Sequence, residues 1–196
     1  MASPNNLKSA VLDLYSRINT YKGTGRPDKP ETTGGVIKGS ESDGITYIST
    51  DGAGVGAWQW VKAGGKWQVS VGDTGWIKVE SPELAKGAIY LRRTEAGCYI
   101  TVRGGDWDSF QLKTMRTGKY NLYNVALPTG FTSPTAVAQP LTYDYVSTHG
   151  YLLLTSKSDA SRIQLKVDNT PANNRYLRAN MLYYISDDVW VDKLTL

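Results

Sequence analysis

Residues 87–103 read G-A-I-Y-L-R-R-T-E-A-G-C-Y-I-T-V-R, and this stretch decides the predicted fold. Two runs rich in aromatic and branched residues, 87–93 and 98–103, flank the turn-forming cluster T-E-A-G. Such runs favour strands, and the short polar cluster between them favours a turn. The stretch therefore predicts two β-strands separated by a turn.

Similar runs continue to the end of the chain, at 109–113, 120–127, 135–141, 151–155, 162–167 and 176–185. The alternation that indicates a half-buried strand is clearest at Ile163, Leu165 and Val167, and at Leu177, Ala179, Met181, Tyr183 and Ile185. Polar turn clusters recur at short intervals between these runs, which is typical of an antiparallel sandwich or barrel. We therefore expect a mostly β chain in which residues 81–196 form an antiparallel β-sandwich head.

The N-terminal residues 1–23 predict a short coiled-coil helix. Its apolar residues are spaced 4, 3, 4 and 3 apart, the a/d alternation of a coiled-coil seam. Asn5 can cap the start and Gly23 can supply a left-handed end. A narrow stripe on so short a helix favours self-association. The predicted oligomerisation residues are Leu7, Val11, Leu14, Ile18 and Tyr21.

Residues 24–80 predict a collar or linker, because much of this range is rich in Gly, Ser, Thr, Asp and Pro. I-T-Y-I, 45–48, is its short strand. A-W-Q-W-V-K and K-W-Q-V-S-V flank A-G-G, which predicts a hairpin that places aromatic residues across from one another.

The composition argues against several function classes. The 22 basic residues are interspersed with 18 acidic ones, and Arg92-Arg93 is the only adjacent basic pair, so nucleic acid is not the expected partner. The polar start and the short apolar runs predict neither a signal peptide nor membrane insertion. The single cysteine, Cys98, excludes an intramolecular disulfide, and its apolar surroundings predict a buried, inert thiol. We expect no cofactor and no metal site, although isolated calcium held by loop oxygens stays open.

Asp73-Thr74-Gly75 matches the triplet of aspartic proteases, yet its flanks favour a turn. That chemistry needs two aspartates that share a proton, and the triplet occurs once in this sequence. Gly72 and Trp76 replace the apolar and hydroxyl residues expected on either side. We predict no catalytic residue here, and none at the single histidine, His149, which lies in an apparent loop.

Exposed-looking aromatic and polar loops predict a saccharide site. Aromatic rings can stack on the C–H faces of sugars while polar groups bind the hydroxyls. The predicted ligand-binding residues are Asp106, Trp107 and Asp108 in one loop and Tyr143, Tyr145 and His149 in another. Paired carboxylates would also suit glycoside cleavage, with Asp106 acting beside Asp108 or Asp187 of the Asp187-Asp188 pair.

Four stretches together resemble the minor tail and receptor-binding proteins of long-tailed bacteriophages that infect Gram-positive and actinobacterial hosts. They are the helix followed by K-G-T-G-R-P, the run W-Q-W-V-K to G-D-T-G-W, the pair G-A-I-Y-L-R-R and L-P-T-G-F-T-S-P, and the closing L-Y-Y-I-S-D-D-V-W-V-D-K-L. Val191 stands where that family usually has proline.

This resemblance implies a homotrimeric, non-enzymatic fibre or tail-tip adhesin of the virion, assembled in the host cytoplasm. Its expected partners are its own copies, other tail or capsid proteins and a host cell-wall carbohydrate. The helix alone favours dimers, because Val11 and Ile18 would occupy a positions with leucine at d. A virion polysaccharide depolymerase and a decoration fibre without a ligand are the alternatives.

Overall fold

The computed structural model describes residues 8–11, 14, 19–104, 109–114, 116–123, 125–143, 147–168 and 176–192, and for 143 and 147–149 the backbone only. Over these residues the chain is mostly β with several antiparallel sheets, which confirms the predicted class. The chain divides into two compact units, Met1–Asp73 and Thr74–Leu196. No helix in the described part is long and apolar enough to cross a membrane.

The strands are numbered here in chain order. The first unit contains β1 (Thr20–Gly23), β2 (Thr46–Ser49), β3 (Ala57–Ala63) and β4 (Lys66–Gly72). The second unit contains β5 (Ile77–Val79), β6 (Leu84–Lys86), β7 (Ala88–Thr94), β8 (Gly97–Arg103), β9 (Gln111–Leu112), β10 (Gly118–Tyr123), β11 (Val137–Tyr143), β12 (Ser147–Leu154), β13 (Ile163–Val167), β14 (Leu177–Ala179) and β15 (Leu182–Tyr184). Short 3-10 helices span Pro30–Thr33, Gly52–Gly54 and Lys157–Asp159.

The first unit is built on one sheet in the order β1-β2-β3-β4, in which β1 runs parallel to β2 and the other pairs are antiparallel. Tyr47 and Trp60 pair across β2 and β3 and are at most 1% exposed. The Tyr47 hydroxyl donates to the carbonyl of Thr24 at 2.6 Å. The guanidinium of Arg26, paired with Asp28, lies 5.4 Å from the Trp60 ring.

The hairpin of β3 and β4 closes through Gly64 and Gly65, as the sequence predicts. Both glycines have positive φ, 58° and 73°, and both backbone N–H groups donate to the carboxylate of Asp43. The expected pairing of aromatic residues across this hairpin is wrong. The glycine turn sets the register so that Lys62 lies opposite Trp67, and its Nζ atom is 5.7 Å from the ring centroid.

The predicted helix is wrong at its C-terminal end. Residues 8–11 and 14 are helical, but Tyr21 lies in β1 and pairs with Tyr47. Backbone pairing with a distant segment explains this, because Thr46 N donates to Asn19 O at 2.7 Å and Thr50 N donates to Gly23 O at 2.8 Å. Gly25, with φ of 74°, adopts the left-handed conformation expected of Gly23. Leu7 and Ile18 lie outside the described residues.

Asp73-Thr74-Gly75 lies between the end of β4 and the start of β5, the position that the turn interpretation predicts. Asp73 ends the first unit, and its N–H donates to Gly56 O at 2.7 Å. Thr74 begins the second unit, where it exchanges two hydrogen bonds of 2.9 Å with the backbone of Arg93. Gly75 has φ of 66°. We expected the head to begin at residue 81, whereas β5 already pairs with β7 of the second unit.

Two larger sheets organise the second unit. One has the order β15-β8-β7-β5 and the other β10-β13-β12-β11-β14, and all their pairs are antiparallel. Strands β6 and β9 pair separately. Alternate residues of both sheets are buried, at most 1% exposed: Ile89, Leu91, Ile100, Val102, Leu152, Leu154, Ile163, Leu165 and Val167. The expected alternation of 162–167 is therefore confirmed.

The predicted single strand 176–185 is wrong, because the chain changes sheets within it. Strand β14 pairs with β11 and β15 pairs with β8. The alternation shifts by one residue at this crossing, so Leu182 and Tyr184 are buried. Met181, Tyr183 and Ile185, which the sequence placed on the inward face with Leu177, are 46%, 47% and 60% exposed.

Candidate functional site

The structure leaves the predicted saccharide residues without a described side-chain arrangement. Asp106, Trp107, Asp108 and Tyr145 lie outside the described residues. The expected loop is wrong for two of the residues, because Tyr143 ends β11 and His149 belongs to β12; only their backbones are described. The predicted site therefore stays a prediction, and the described surface must be searched for others.

The Asp187-Asp188 pair splits into one exposed and one buried carboxylate. The Asp188 side chain is 5% exposed and that of Asp187 58%. Asp188 Oδ2 accepts hydrogen bonds from Gly130 N at 3.0 Å, Thr132 N at 3.2 Å and the Thr132 hydroxyl, and Oδ1 accepts one from Lys157. Burial alone would raise the pKa of Asp188, but these hydrogen bonds outweigh it and lower the pKa. Such a carboxylate holds a loop and is poorly suited to act as a general acid.

Arg93, which lies in strand β7, binds the same loops. Its guanidinium donates to the carbonyls of Gly130 and Val189 at 2.7 Å and of Asp188 at 2.8 Å. It also lies 5.0 Å from the centroid of the Trp190 ring. Burial lowers the pKa of Arg93. We call Arg93, Gly130, Thr132, Asp188 and Trp190 the Arg93 cluster.

The Arg93 cluster joins three of the sequence stretches that carry the phage resemblance: L-R-R, L-P-T-G-F-T-S-P and S-D-D-V-W-V. Gly130 has φ of 102°, and a Cβ atom there would lie 2.5 Å from Val191. Only glycine fits this position without strain. The described geometry thus gives these stretches a structural role.

Cys98 is buried beside the Arg93 cluster. Its exposed fraction is 0%, and its thiol lies 3.5 Å from Gly130 O. Burial raises the pKa of Cys98 to about 11, against the opposing effect of Arg93. The expected burial of the thiol is therefore confirmed, and its low reactivity stays a prediction.

The outward face of the sheet β15-β8-β7-β5 is a different surface. Aromatic rings and guanidinium groups alternate there, because Tyr90 and Arg92 of β7 and Tyr99 and Arg103 of β8 are less buried than the buried residues between them, Leu91, Ile100 and Val102. We call it the Trp76 face; it consists of Trp76, Tyr90, Arg92, Tyr99, Arg103 and Tyr183.

Two cations lie close to the Trp76 ring on this face. The guanidinium carbons of Arg92 and Arg103 are 5.7 and 5.5 Å from its ring centroid. Arg103 is also 4.8 Å from the Tyr90 ring. These are cation–π distances. Trp76 nevertheless keeps 39% of its surface exposed.

The face extends to the edge strand β15. Arg92 pairs with Tyr99, and Tyr99 pairs with Tyr183. The rings of Tyr99 and Tyr183 lie 5.2 Å apart at 45°. The Tyr183 hydroxyl donates to Ala96 O at 2.6 Å, which fixes the ring while 47% of the residue stays exposed. The result is a row of rings held in place before any ligand arrives.

Sequence reasoning missed the Trp76 face, although part of its signal was present. Strand alternation separates Tyr90 and Arg92 from the buried Ile89 and Leu91. The sequence does not show which residues of β5 and β7 lie opposite each other, because β6 separates the two strands in the chain. The position of Trp76 beside Arg92 depends on that register.

The other large sheet offers a more polar outward face. Lys166 Nζ lies 5.3 Å from the Tyr151 ring centroid, and Gln164 donates to Asn121 at 3.0 Å.

The described residues contain no group of three or more His, Cys, Asp or Glu arranged to hold a metal ion. Comparison with known proteins finds no matching family model and no matching curated protein.

Proposed function

We propose that this chain is a bacteriophage structural protein, a homotrimeric tail-fibre or tail-tip adhesin whose head binds a host cell-wall carbohydrate. The single observation that supports binding is the Trp76 face. Preset, exposed rings suit the C–H faces of sugars, and neighbouring polar groups suit the hydroxyls.

The proposed head is a β-sandwich formed by the two large sheets of the second unit. Each sheet has one buried apolar face and one polar outward face, the alternation of a sandwich. In such a head the Trp76 face would be an outer surface, accessible to a polymer on a cell wall.

Self-association rests on the N-terminal segment. Val11 and Leu14 are helical and 44% and 57% exposed, so part of the apolar stripe lacks cover within the chain. Packing three helices together would bury this stripe. Three weak saccharide sites on one particle would then gain avidity without stronger individual contacts.

Retention of the purified protein on intact Gram-positive and actinobacterial cells tests the adhesin proposal. Trp76→Ala should lower retention, whereas Tyr151→Ala, which alters a cation–π ring in the other sheet, should not. Circular dichroism should show that both variants fold. Equal retention of wild type and Trp76→Ala would contradict binding through this face.

Two further measurements address the assembly and the virion. Sedimentation equilibrium should give three times the chain mass, and a monomer would contradict the fibre. Antibody labelling of assembled particles should locate the protein on the tail. New reducing ends released from cell-wall polysaccharide would favour the depolymerase instead.

A further inference from the structure

We infer that Thr74 is a positioning residue for the Trp76 face, because its hydroxyl fixes the backbone that carries the Trp76 ring. Thr74 would act through this ring rather than touch the ligand, and its role in binding rests on the proposed adhesin function. The threonine of the Asp73-Thr74-Gly75 triplet would then serve recognition and not catalysis.

Trp76 lies next to the end of a regular ladder. Strand β5 begins at Ile77, which pairs with Leu91 of β7. This ladder holds the backbone on the C-terminal side of Trp76. On the N-terminal side the contact with β7 is made by Thr74, whose N–H donates to Arg93 O at 2.9 Å. Trp76 is therefore held between two points that lie two residues apart on β7.

The hydroxyl of Thr74 makes two hydrogen bonds at this place. It accepts from Arg93 N at 2.9 Å, where a backbone carbonyl would accept in a regular ladder, and it donates to Gly75 O at 2.9 Å. The second bond orients the peptide group that joins Gly75 to Trp76. Gly75 itself has φ of 66°, so the chain turns here. One hydroxyl thus ties the turn before Trp76 to β7.

The position of the Trp76 ring follows from this backbone. The ring lies 5.7 and 5.5 Å from the guanidinium carbons of Arg92 and Arg103. Trp76 keeps 39% of its surface exposed, so packing holds its ring less firmly than it holds a buried tryptophan. A ring that is fixed before binding loses less conformational freedom when a ligand contacts it. Removing the Thr74 hydroxyl should therefore weaken binding through Trp76.

Thr155 offers a matched control, because it makes the same set of hydrogen bonds in the loop between β12 and β13. Its N–H donates to Arg162 O at 3.0 Å, and its hydroxyl accepts from Arg162 N at 2.8 Å and donates to Asp159 O at 3.1 Å. Replacing either threonine by valine removes one hydroxyl with little change in shape. The two variants therefore lose the same interactions and differ in where they lose them.

The position of the ring can be measured without a ligand. The full-length protein is labelled with 5-fluorotryptophan, and its fluorine NMR resonance for Trp76 is assigned by its loss in Trp76→Phe. We expect Thr74→Val to shift or broaden this resonance. Thr74→Ser keeps the hydroxyl and should restore the wild-type position. Thr155→Val should leave the resonance unchanged.

Retention on intact cells then relates the ring position to binding. Thr74→Val should raise the half-saturating protein concentration about fivefold, the effect of one lost hydrogen bond. Thr74→Ser and Thr155→Val should be retained like the wild type. Urea denaturation should give similar stabilities for the two valine variants, so that general loosening does not account for the difference.

The possible outcomes separate the role of Thr74 from the proposed function. An unchanged Trp76 resonance in Thr74→Val would overturn the positioning role, whether or not retention falls. Full retention of Thr74→Val beside weak retention of Trp76→Ala would overturn it too and leave the adhesin intact. A wild-type protein that cells do not retain would overturn the proposed function, and the resonance would still decide whether Thr74 positions the ring.

Discussion

The guanidinium of Arg93 donates a hydrogen bond of 2.8 Å to the backbone carbonyl of Asp188. The carboxylate of Asp188 in turn accepts hydrogen bonds from the backbone N–H groups of Gly130 and Thr132. The guanidinium also donates to Gly130 O at 2.7 Å. Arg93 therefore binds a carbonyl group of the loop at Gly130, and Asp188 binds two N–H groups of the same loop. This reciprocal binding explains why the loop and the C-terminal segment stay together without a disulfide.

Replacing Arg93 should therefore destabilise the fold. Arg93→Ala leaves three carbonyls without their donor and removes the packing over Trp190, so we expect a loss of about 2–4 kcal/mol in the free energy of unfolding. Urea denaturation followed by tryptophan fluorescence measures it. Arg92→Ala, one residue away on the outward face, is the control and should cost less than about 1 kcal/mol. Similar losses in both variants would contradict the structural role of the Arg93 cluster.

Asp188 should make stability depend on acidity. Its pKa is lowered in the folded state, so its contribution is fully present above the unfolded value of about 3.9 and is lost as the pH falls through the folded value. Asp188→Asn should lower stability at pH 7 and flatten the decline below about pH 4. Thermal unfolding measured across this range tests the change. Asp187→Asn, at the exposed neighbour, should follow the wild-type curve, and a parallel curve for Asp188→Asn would refute the assignment.

Local alternation predicted the strands well where one strand stays in one sheet. Ile163, Leu165 and Val167 are inward as expected, because their period of two directly reports which face is buried. The same reasoning fails at Met181, since a sequence pattern does not record where a chain leaves one sheet for another. It fails at Tyr21 for a related reason: pairing with Tyr47 is a long-range contact.

The candidate site was less predictable than the fold. In the sequence, Trp76 argues against the protease interpretation of Asp73-Thr74-Gly75 and belongs to the G-D-T-G-W run of the phage resemblance, but neither observation indicates a binding face. Its relation to Arg92 and Arg103 arises from sheet register, which brings together side chains of β7, β8 and the residue before β5. The exposed-looking loops of the sequence favoured Trp107 instead, and Trp107 lies outside the described residues.

Cys98 should resist thiol reagents in the folded protein. Burial raises the pKa of its thiol to about 11, so little thiolate exists at pH 8, and the buried sulfur is also inaccessible. Labelling with an aromatic disulfide reagent should be slow in buffer and rapid in urea, where the chain unfolds. Rapid stoichiometric labelling of the native protein would contradict the buried position. Tyr99→Ala, at an outward neighbour, controls for general loosening and should preserve the slow rate.

Gly118 and Gly150 offer a matched test of close packing, because they flank Val167 from β10 and β12 and have nearly equal φ, 135° and 136°. A Cβ atom at Gly150 would lie 1.8 Å from Lys166 O, whereas no atom of the described residues, apart from the chain neighbours, lies within 4 Å of a Cβ at Gly118. Both alanine variants impose backbone strain of about 1–3 kcal/mol. Gly150→Ala must also displace the adjacent strand, so we expect it to cost at least about 2 kcal/mol more, or to prevent folding. Urea denaturation compares the two, and equal stability would show that β12 and β13 do not approach so closely.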